Sequence, residues 1–468
     1  MVDTLDGEGT AMWNPGQQLE RHRRHGRTTQ APGRPRGREA RWRPLAVGAA
    51  GAALLLAAAA CSSGGGGSSG SKNVITFGNW AAAESNTAPG IAAMIKKFEA
   101  LHPGITVKSE PISYTDIDHQ LVLEAKSGNT PDVAELQGQY THDVAETGTL
   151  QPLNSYETSS WQSSIIPNEL SAGTINGQKV AIPWTTGPFG LWYNKTVMKA
   201  AGLKPVPPTT WTQLLADCKV IHAKEPKVID FGTDSTSREY GLDQNWPIMK
   251  NFGGVPFTGK TATADTAAMR SYLTFMHTID KDGYTPEGQK GGYFRQPAAS
   301  NQVAFTVDGP YVKGVVQATN HMSDSKFYST WGVAKLPTAT AGQQSVTTPS
   351  GHQLVMFKNA SNKSAAWQFM NFLVTNQDAV LNYTIKYEGS VPPLAHPVGA
   401  VASALDNPIS QSFIKNIIPT EITPGWGPYY SSVYLDVMAA IQQAMTTSAP
   451  VASIASGLQS KLQTDLGG

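Results

Sequence analysis

Cysteine is nearly absent from this sequence: Cys61 and Cys218 are the only two among 468 residues. One pair with one member near the start leaves no internal disulfide framework, so a folded core has to come from apolar burial alone. Cys218 shares a helical face with Leu214, Leu215 and Ile221, which reads as a buried thiol packed like a small hydrophobe. Charge is also scarce, at 15% of residues with a formal net charge of +1, and much of the arginine lies in the first 43 residues. Nothing in that balance calls for nucleic acid as a partner. The ten histidines are scattered, with no HExxH and no Cys/His cluster, so no dedicated metal site or other cofactor is expected. A GxSxG nucleophile elbow is missing as well.

The leader is what the sequence does have. Arg-rich residues are followed by an apolar run from Leu45 to Ala60 and then by Cys61. A basic n-region, a short h-region and a small-residue site read as a signal peptide over 1–60, with an unusually long n-region. The cysteine directly after alanines resembles a bacterial lipoprotein processing site, where that residue becomes acylated. The pattern departs at Ala58, where Leu is usual, Leu56 standing two residues further back. Residues 61–72 are then a lipidated Cys61 and a Gly/Ser tether, which places the protein on the extracytoplasmic face of the cell membrane, held through its lipid anchor only.

What remains is too long for one ordinary core and predicts two lobes. From Val74 onward strand and helix alternate. Val74–Phe77 is β-rich, and Gly78-Asn79-Trp80 stands where a βα loop belongs. Ile91, Met94, Ile95, Phe98 and Leu101 form a helical stripe stopped by Pro103-Gly104. A strand at Ile105–Val107, a helix through Ile117, Leu121 and Ala125, and a strand opening at Pro131-Asp132-Val133 complete the pattern. This order predicts an α/β fold with a mostly parallel sheet and a ligand site beyond the strands' carboxyl ends. Ile182–Lys195 organises the whole: an extended end, a Gly- and Pro-rich middle from Trp184 to Gly190, and a new apolar strand at Leu191-Trp192-Tyr193. Such a conformationally specified segment is a crossing between two packed bodies.

Five motifs in register carry a family resemblance: Gly128-Asn129-Thr130-Pro131-Asp132-Val133, Gly148-Thr149-Leu150-Gln151-Pro152-Leu153, Ile182-Pro183, Leu191-Trp192-Tyr193-Asn194-Lys195 and Pro208-Thr209-Thr210-Trp211. Asp308-Gly309-Pro310-Tyr311, Trp331–Pro337, Ser350-Gly351-His352 and Pro424-Gly425-Trp426 extend it toward the C-terminus. Together they resemble the extracellular solute-binding proteins of sugar ABC importers, the maltose-binding-protein-like family 1. The resemblance implies a two-lobe periplasmic-binding-protein-like fold with three hinge crossings, near Pro183–Gly190, Ala334–Pro337 and Tyr387–Pro392, and a ligand cleft between the lobes. It places lobe one at 73–184 and 336–388 and lobe two at 189–335 and 389–468. It further implies a monomeric receptor, not an enzyme, that passes a small carbohydrate to the transmembrane subunits of a permease. The alternatives are a polyamine, glycerol-phosphate or peptide ligand, and a secreted glycoside-active enzyme.

A sugar offers apolar C–H faces and a rim of hydroxyls, so aromatic rings and polar groups at loops are the candidate site. The aromatic candidates are Trp80, Tyr114, Trp184, Trp246, Tyr311, Trp426 and Tyr429; the polar ones are Glu84, Asp116, Gln137, Gln139, Asp243, Asp308 and His352, with Gly351 beside them. Gly309-Pro310 is expected to start a helix whose free N–H groups a ligand oxygen approaches. Where the family usually has Trp and a second Gly, this chain has Tyr311 and His352. One competing motif is Gly254–Thr261, which matches GxxxxGK[ST], but its surroundings lack the strand before and the helix after that a phosphate cradle requires.

Overall fold

The computed structural model describes residues 73–425 and 430–467. Cys61 and the leader, together with Trp426 and Tyr429, lie outside the described residues. No described helix is long and apolar enough to cross a membrane.

Two sheets form the frame. In the first, Val74–Asn79 lies between Thr106–Pro111 and Val133–Gln137, all parallel, and His352–Met356 and Ala181–Pro183 complete five strands. The second sheet has four strands, Trp331–Ala334, Gly190–Asn194, Val303–Asp308 and Ile229–Gly232. The expected mostly parallel sheet is corrected to a mixed one. His352–Met356 runs antiparallel to both of its neighbours, as does Gly190–Asn194. The reason is the path of the chain. Both strands begin just after a passage from the other lobe, so they start at the end of the sheet where the other strands finish.

Side-chain alternation buries both faces of each sheet. In the first, Ile75, Phe77 and Leu354 pack with the helix Ala88–Leu101 and with Phe369, while Ala134, Leu136 and Val355 pack with Ile117 and Leu121. In the second, Leu191, Phe231 and Val307 pack with Trp211, Cys218 and Phe275, while Trp192, Trp331 and Val333 pack with Val312 and Phe413. Cys218 is buried, as its helical position indicates. The motif residues explain local starts and stops. Asn194 ends a strand and its side chain accepts from the N–H groups of Thr196 and Val197, capping the helix Lys195–Ala200. Thr210 does the same for the helix Trp211–Lys224 by accepting from Gln213 N–H. The final helix, Val451–Gly467, docks Ile454, Leu458, Leu462 and Leu466 into the second core.

The GxxxxGK[ST] match folds as a hairpin. Phe257–Thr258 pairs antiparallel with Thr261–Ala262, and the next helix starts only at Ala267. Neither a preceding strand nor a helix N-terminus is placed to receive a phosphate.

The passages between the sheets lie against one another. Trp184 N–H donates to His352 C=O at 2.7 Å, and Thr186 N–H to Val391 C=O at 2.9 Å. The Ser390 hydroxyl donates to Thr186 C=O at 2.5 Å. A Cβ at Gly187 would stand 2.2 Å from Ser350 C=O oxygen, and one at Gly351 would stand 2.0 Å from that of Thr185. Backbone meets backbone there with no room for a methyl group. Gly187→Ala and Gly351→Ala are each expected to lower stability by at least about 1–3 kcal/mol. Gly425→Ala, which meets nothing within 4 Å, is the control. Denaturant melts of the three variants check this, and equal midpoints would refute the close contact.

Two carboxyl groups are buried against each other in the same region. Glu169, on the helix Pro167–Ala172, is 2% exposed and Glu421 is 5% exposed. Both oxygens of Glu421 and Oε1 of Glu169 lack a protein donor, so the two adjoining carboxyls can hydrogen-bond only to each other, by sharing a proton. Burial pushes Glu169 up to about 7 from its ordinary 4.5, and it pushes Glu421 up as well. A raised carboxyl pKa means that stability present below the unfolded value is lost as pH climbs toward the folded one. Wild-type melting temperature should therefore fall between about pH 4.5 and 7 relative to Glu169→Gln, which keeps a donor and cannot ionise. Melting curves of the two proteins that stay parallel across this range would contradict the shared proton.

Candidate functional site

Strands of both sheets end on a common cavity of about 750 Å³. From the first lobe, Trp80 follows the strand Val74–Asn79, Tyr114 follows Thr106–Pro111, and Gln137 ends Val133–Gln137. From the second, Tyr240 lies on the helix Glu239–Asn251, while Arg295 and Tyr311 flank the strand Val303–Asp308. His352 and the segment Lys386–Glu388 line it where the chain passes between the lobes.

The aromatic groups form a chain across the cavity. Trp80 meets Tyr114 edge-on at 5.4 Å and His352 at 4.7 Å. Tyr114 in turn approaches Tyr240 at 6.4 Å, and the Tyr240 and Tyr311 hydroxyls are 3.4 Å apart. Each ring therefore has its orientation fixed before any ligand arrives. Polar groups are held as firmly. Tyr114 donates to Gln137 Oε1 at 2.5 Å, and Gln139 Nε2 donates to the same oxygen at 3.0 Å. Arg295 forms two hydrogen bonds with Asp308, at 2.9 and 3.0 Å, and its guanidinium carbon lies 4.7 Å from the centre of the Tyr311 ring.

His352 is the electrostatic centre. Its Nδ1 lies 2.9 Å from Glu135 and its Nε2 3.5 Å from Glu388. Burial works against the charged ring, but Glu388, Glu135 and Glu84 outweigh it and push the pKa up to about 9. Glu135 is pushed up to about 7 by burial, with His352 opposing. Glu84 is raised by burial first and by Glu388 second.

Of the residues singled out in the sequence, Trp80, Glu84, Tyr114, Gln137, Tyr311 and His352 line the cavity. The others are placed elsewhere. Trp184 is 1% exposed and stacks on Tyr383 at 4.7 Å inside the first core, because the strand turns it inward one residue after Pro183. Trp246 packs in the second core on the buried side of its helix. Asp116 is exposed and accepts from the Ser113 hydroxyl at a helix start. Asp308 and Gln139 stand behind the lining, holding Arg295 and Gln137. Asp243 is buried, accepts from the Ser350 hydroxyl, and is pushed up to about 7 by burial. Gly351 supplies closeness of backbone rather than a contact surface. Gly309 differs from expectation too: its missing Cβ leaves room for the ring of Tyr311 itself, 2.4 Å away, and the helix begins at Val312 rather than at Pro310.

Arg238, Tyr240, Lys290, Arg295, Tyr387 and Glu388 were not found by sequence reading. Glu388 sits in the expected third crossing and was in principle legible there. Arg295 had no local signal, since its position depends on a pairing with Asp308 that only folding creates.

The chain belongs to the bacterial extracellular solute-binding proteins, whose family model matches residues 83–380. A binding protein of Brucella abortus is 24% identical over 300 residues, covering 63% of this chain and 70% of that one. The diacetylchitobiose-binding protein DasA of Streptomyces coelicolor is 24% identical over 331 residues, 67% of this chain and 70% of that protein. Among solved structures, maltose-bound MalE3 of Thermotoga maritima superposes with a TM-score of 0.72 at 21% identity, over 84% of this chain and 99% of that one. The two-lobe fold is thus that of the periplasmic binding proteins.

Rings that line the cavity and rings that fill a core should respond differently to truncation. Tyr311→Ala is expected to weaken ligand binding by about 1–3 kcal/mol, from lost area and ring contact. Trp184→Ala should instead lower stability by about 3–5 kcal/mol while the folded fraction keeps its affinity. Trp80 belongs to both the first core and the lining, so its truncation should reduce both quantities. Calorimetric titration beside thermal melts separates the three, and a Tyr311 variant with unchanged affinity would remove that ring from the site.

Proposed function

We propose that this protein is the substrate-binding lipoprotein of an ABC importer, which captures a small carbohydrate between its lobes and delivers it to a membrane permease. The observation that carries the reading is the cavity at the strand ends, walled by Trp80 and Tyr114 from one side and Tyr240 and Tyr311 from the other. Rings of that kind suit the C–H faces of a sugar, and Gln137, Glu84 and Glu388 suit its hydroxyl rim. The names of family relatives agree with it, since a diacetylchitobiose-binding and a maltotriose-binding protein are among them. Segments 73–184 and 352–388 form lobe one, and 189–346, 389–425 and 430–467 form lobe two. The second crossing, expected near Ala334–Pro337, falls at 347–351, because Leu336 is buried in the second core and Thr338 bonds Thr209 and Trp211. Ligand contacts complete only when the lobes meet shift the population toward closure by their difference in affinity.

Binding is favoured over glycoside hydrolysis by the family, whose named relatives are binding proteins. Asp308, held by Arg295, and Asp243, held by Ser350, stand outside the lining, whose carboxylates are Glu84 and Glu388. Anchoring through Cys61 rests on the leader sequence and supplies the tether that lets the receptor reach its permease. A polyamine or glycerol-phosphate ligand is the competing reading.

A thermal-shift screen of the purified protein against oligosaccharides, polyamines and glycerol-phosphates tests this. A cognate sugar at about 100 times its Kd is expected to stabilise the protein by about 2.7 kcal/mol. Stabilisation by a polyamine or a phosphate ester alone would replace the carbohydrate assignment.

A further inference from the structure

The two walls of the cavity differ in how their charges are used. On the second lobe, Arg295 is neutralised by Asp308 and Arg238 by Asp234, the latter at 2.5 Å. Lys290 of that lobe is exposed; Lys386, two residues before Glu388, is exposed as well, its Nζ over the ring of Tyr387 at 5.5 Å. The opposite side is acidic. There His352 is shared among Glu135, Glu388 and Glu84, with Arg295 acting on Glu84 as well.

Glu388 is the residue left incomplete. Its side chain is only 10% exposed, and it lines the cavity. Among the described residues none donates a hydrogen bond to it, and its one ion-pair partner among them is His352, whose Nε2 lies 3.5 Å away. That ring is already committed through Nδ1 to Glu135 at 2.9 Å. A carboxylate so far out of water and so poorly partnered is costly unless something else supplies donors and charge. Glu84 lines the same stretch, close enough that the Glu388 carboxylate opposes its ionisation. Trp80, edge-on to His352, adds an indole ring to the same corner. Two carboxylates beside an indole form a receptor for an ammonium group, which brings three donors and a positive charge and also interacts favourably with the ring.

We propose that the ligand of this cleft is an amino sugar, whose protonated amine is held between Glu84 and Glu388 beside Trp80. The inference rests on the carbohydrate reading and sharpens it from neutral saccharides to aminated ones. A hydroxyl can donate one hydrogen bond to Glu388. An ammonium can serve both carboxylates and cancel their repulsion, so the two ligand types are separated by charge rather than by shape. N-acetylation removes that charge while keeping the sugar ring.

Calorimetric titration of the protein near pH 7 with a β-1,4-linked glucosamine oligosaccharide, its N-acetylated counterpart, maltotriose and spermidine tests this. The free amine is expected to bind at least tenfold more tightly than the N-acetylated form. Glu388→Gln and Glu84→Gln should each reduce that ratio several-fold. Because the ratio compares two ligands on one variant, partial loss of folded protein does not alter it. If the N-acetylated or neutral sugar binds as tightly as the free amine, the inference is overturned and the carbohydrate reading stands. Binding of spermidine with none of the saccharides overturns both. A ratio unchanged in both Gln variants removes Glu84 and Glu388 from the recognition of the amine and overturns it as well.

Discussion

Everything in this molecule turns on a place where main chain touches main chain. Gly187 and Gly351 belong to different passages between the lobes, and a Cβ added at either would stand 2.2 or 2.0 Å from a carbonyl oxygen of the other passage. The third passage joins them through Thr186, Val391 and Ser390. Hydrogen bonds between backbones have little freedom of length or angle, so the three strands of chain behave as one joint. The joint also reaches the site. His352 follows Gly351 directly and starts a strand, and Glu388 precedes the residues that bond Thr186. Any movement of the lobes about these passages changes where His352 and Glu388 point.

The cavity shows how such a protein prepares for a ligand without closing its options. Its rings are ordered by one another, from His352 through Trp80, Tyr114 and Tyr240 to Tyr311, rather than by a ligand. Ordering side chains in advance reduces the entropy lost on binding. The charges are arranged unequally: arginines of the second lobe are satisfied within that lobe, whereas the acidic groups of the first are not. Buried carboxyl groups elsewhere take no part in the lining: Glu169 and Glu421 adjoin each other with their ionisation opposed by burial, and Asp243 accepts from the Ser350 hydroxyl. At the cavity, by contrast, the nearly buried carboxylate of Glu388 faces open space.

Sequence alone was enough to determine the class of architecture and most of its punctuation. The apolar periods of Ile91–Phe98 and Ile117–Ala125 settle helices because one face must leave water. Asn194 and Thr210 mark helix starts because their side chains can accept the free N–H groups. The Gly- and Pro-rich stretches mark the passages because few other residues permit them. Trp80, Tyr114, Gln137, Tyr311 and His352 were legible as site candidates from their positions after strands. Tertiary structure decided the rest. The inward turn of Trp184 and Trp246 depends on which side of an element meets a core, and periodicity does not distinguish a wall from an interior. The antiparallel sense of Gly190–Asn194 and His352–Met356 follows from the direction of chain entry, which no local signal encodes. The pairing of Arg295 with Asp308, and the isolation of Glu388 beside His352, arise between residues far apart along the chain. Electrostatic character is set by distance in space, and folding alone assigns it.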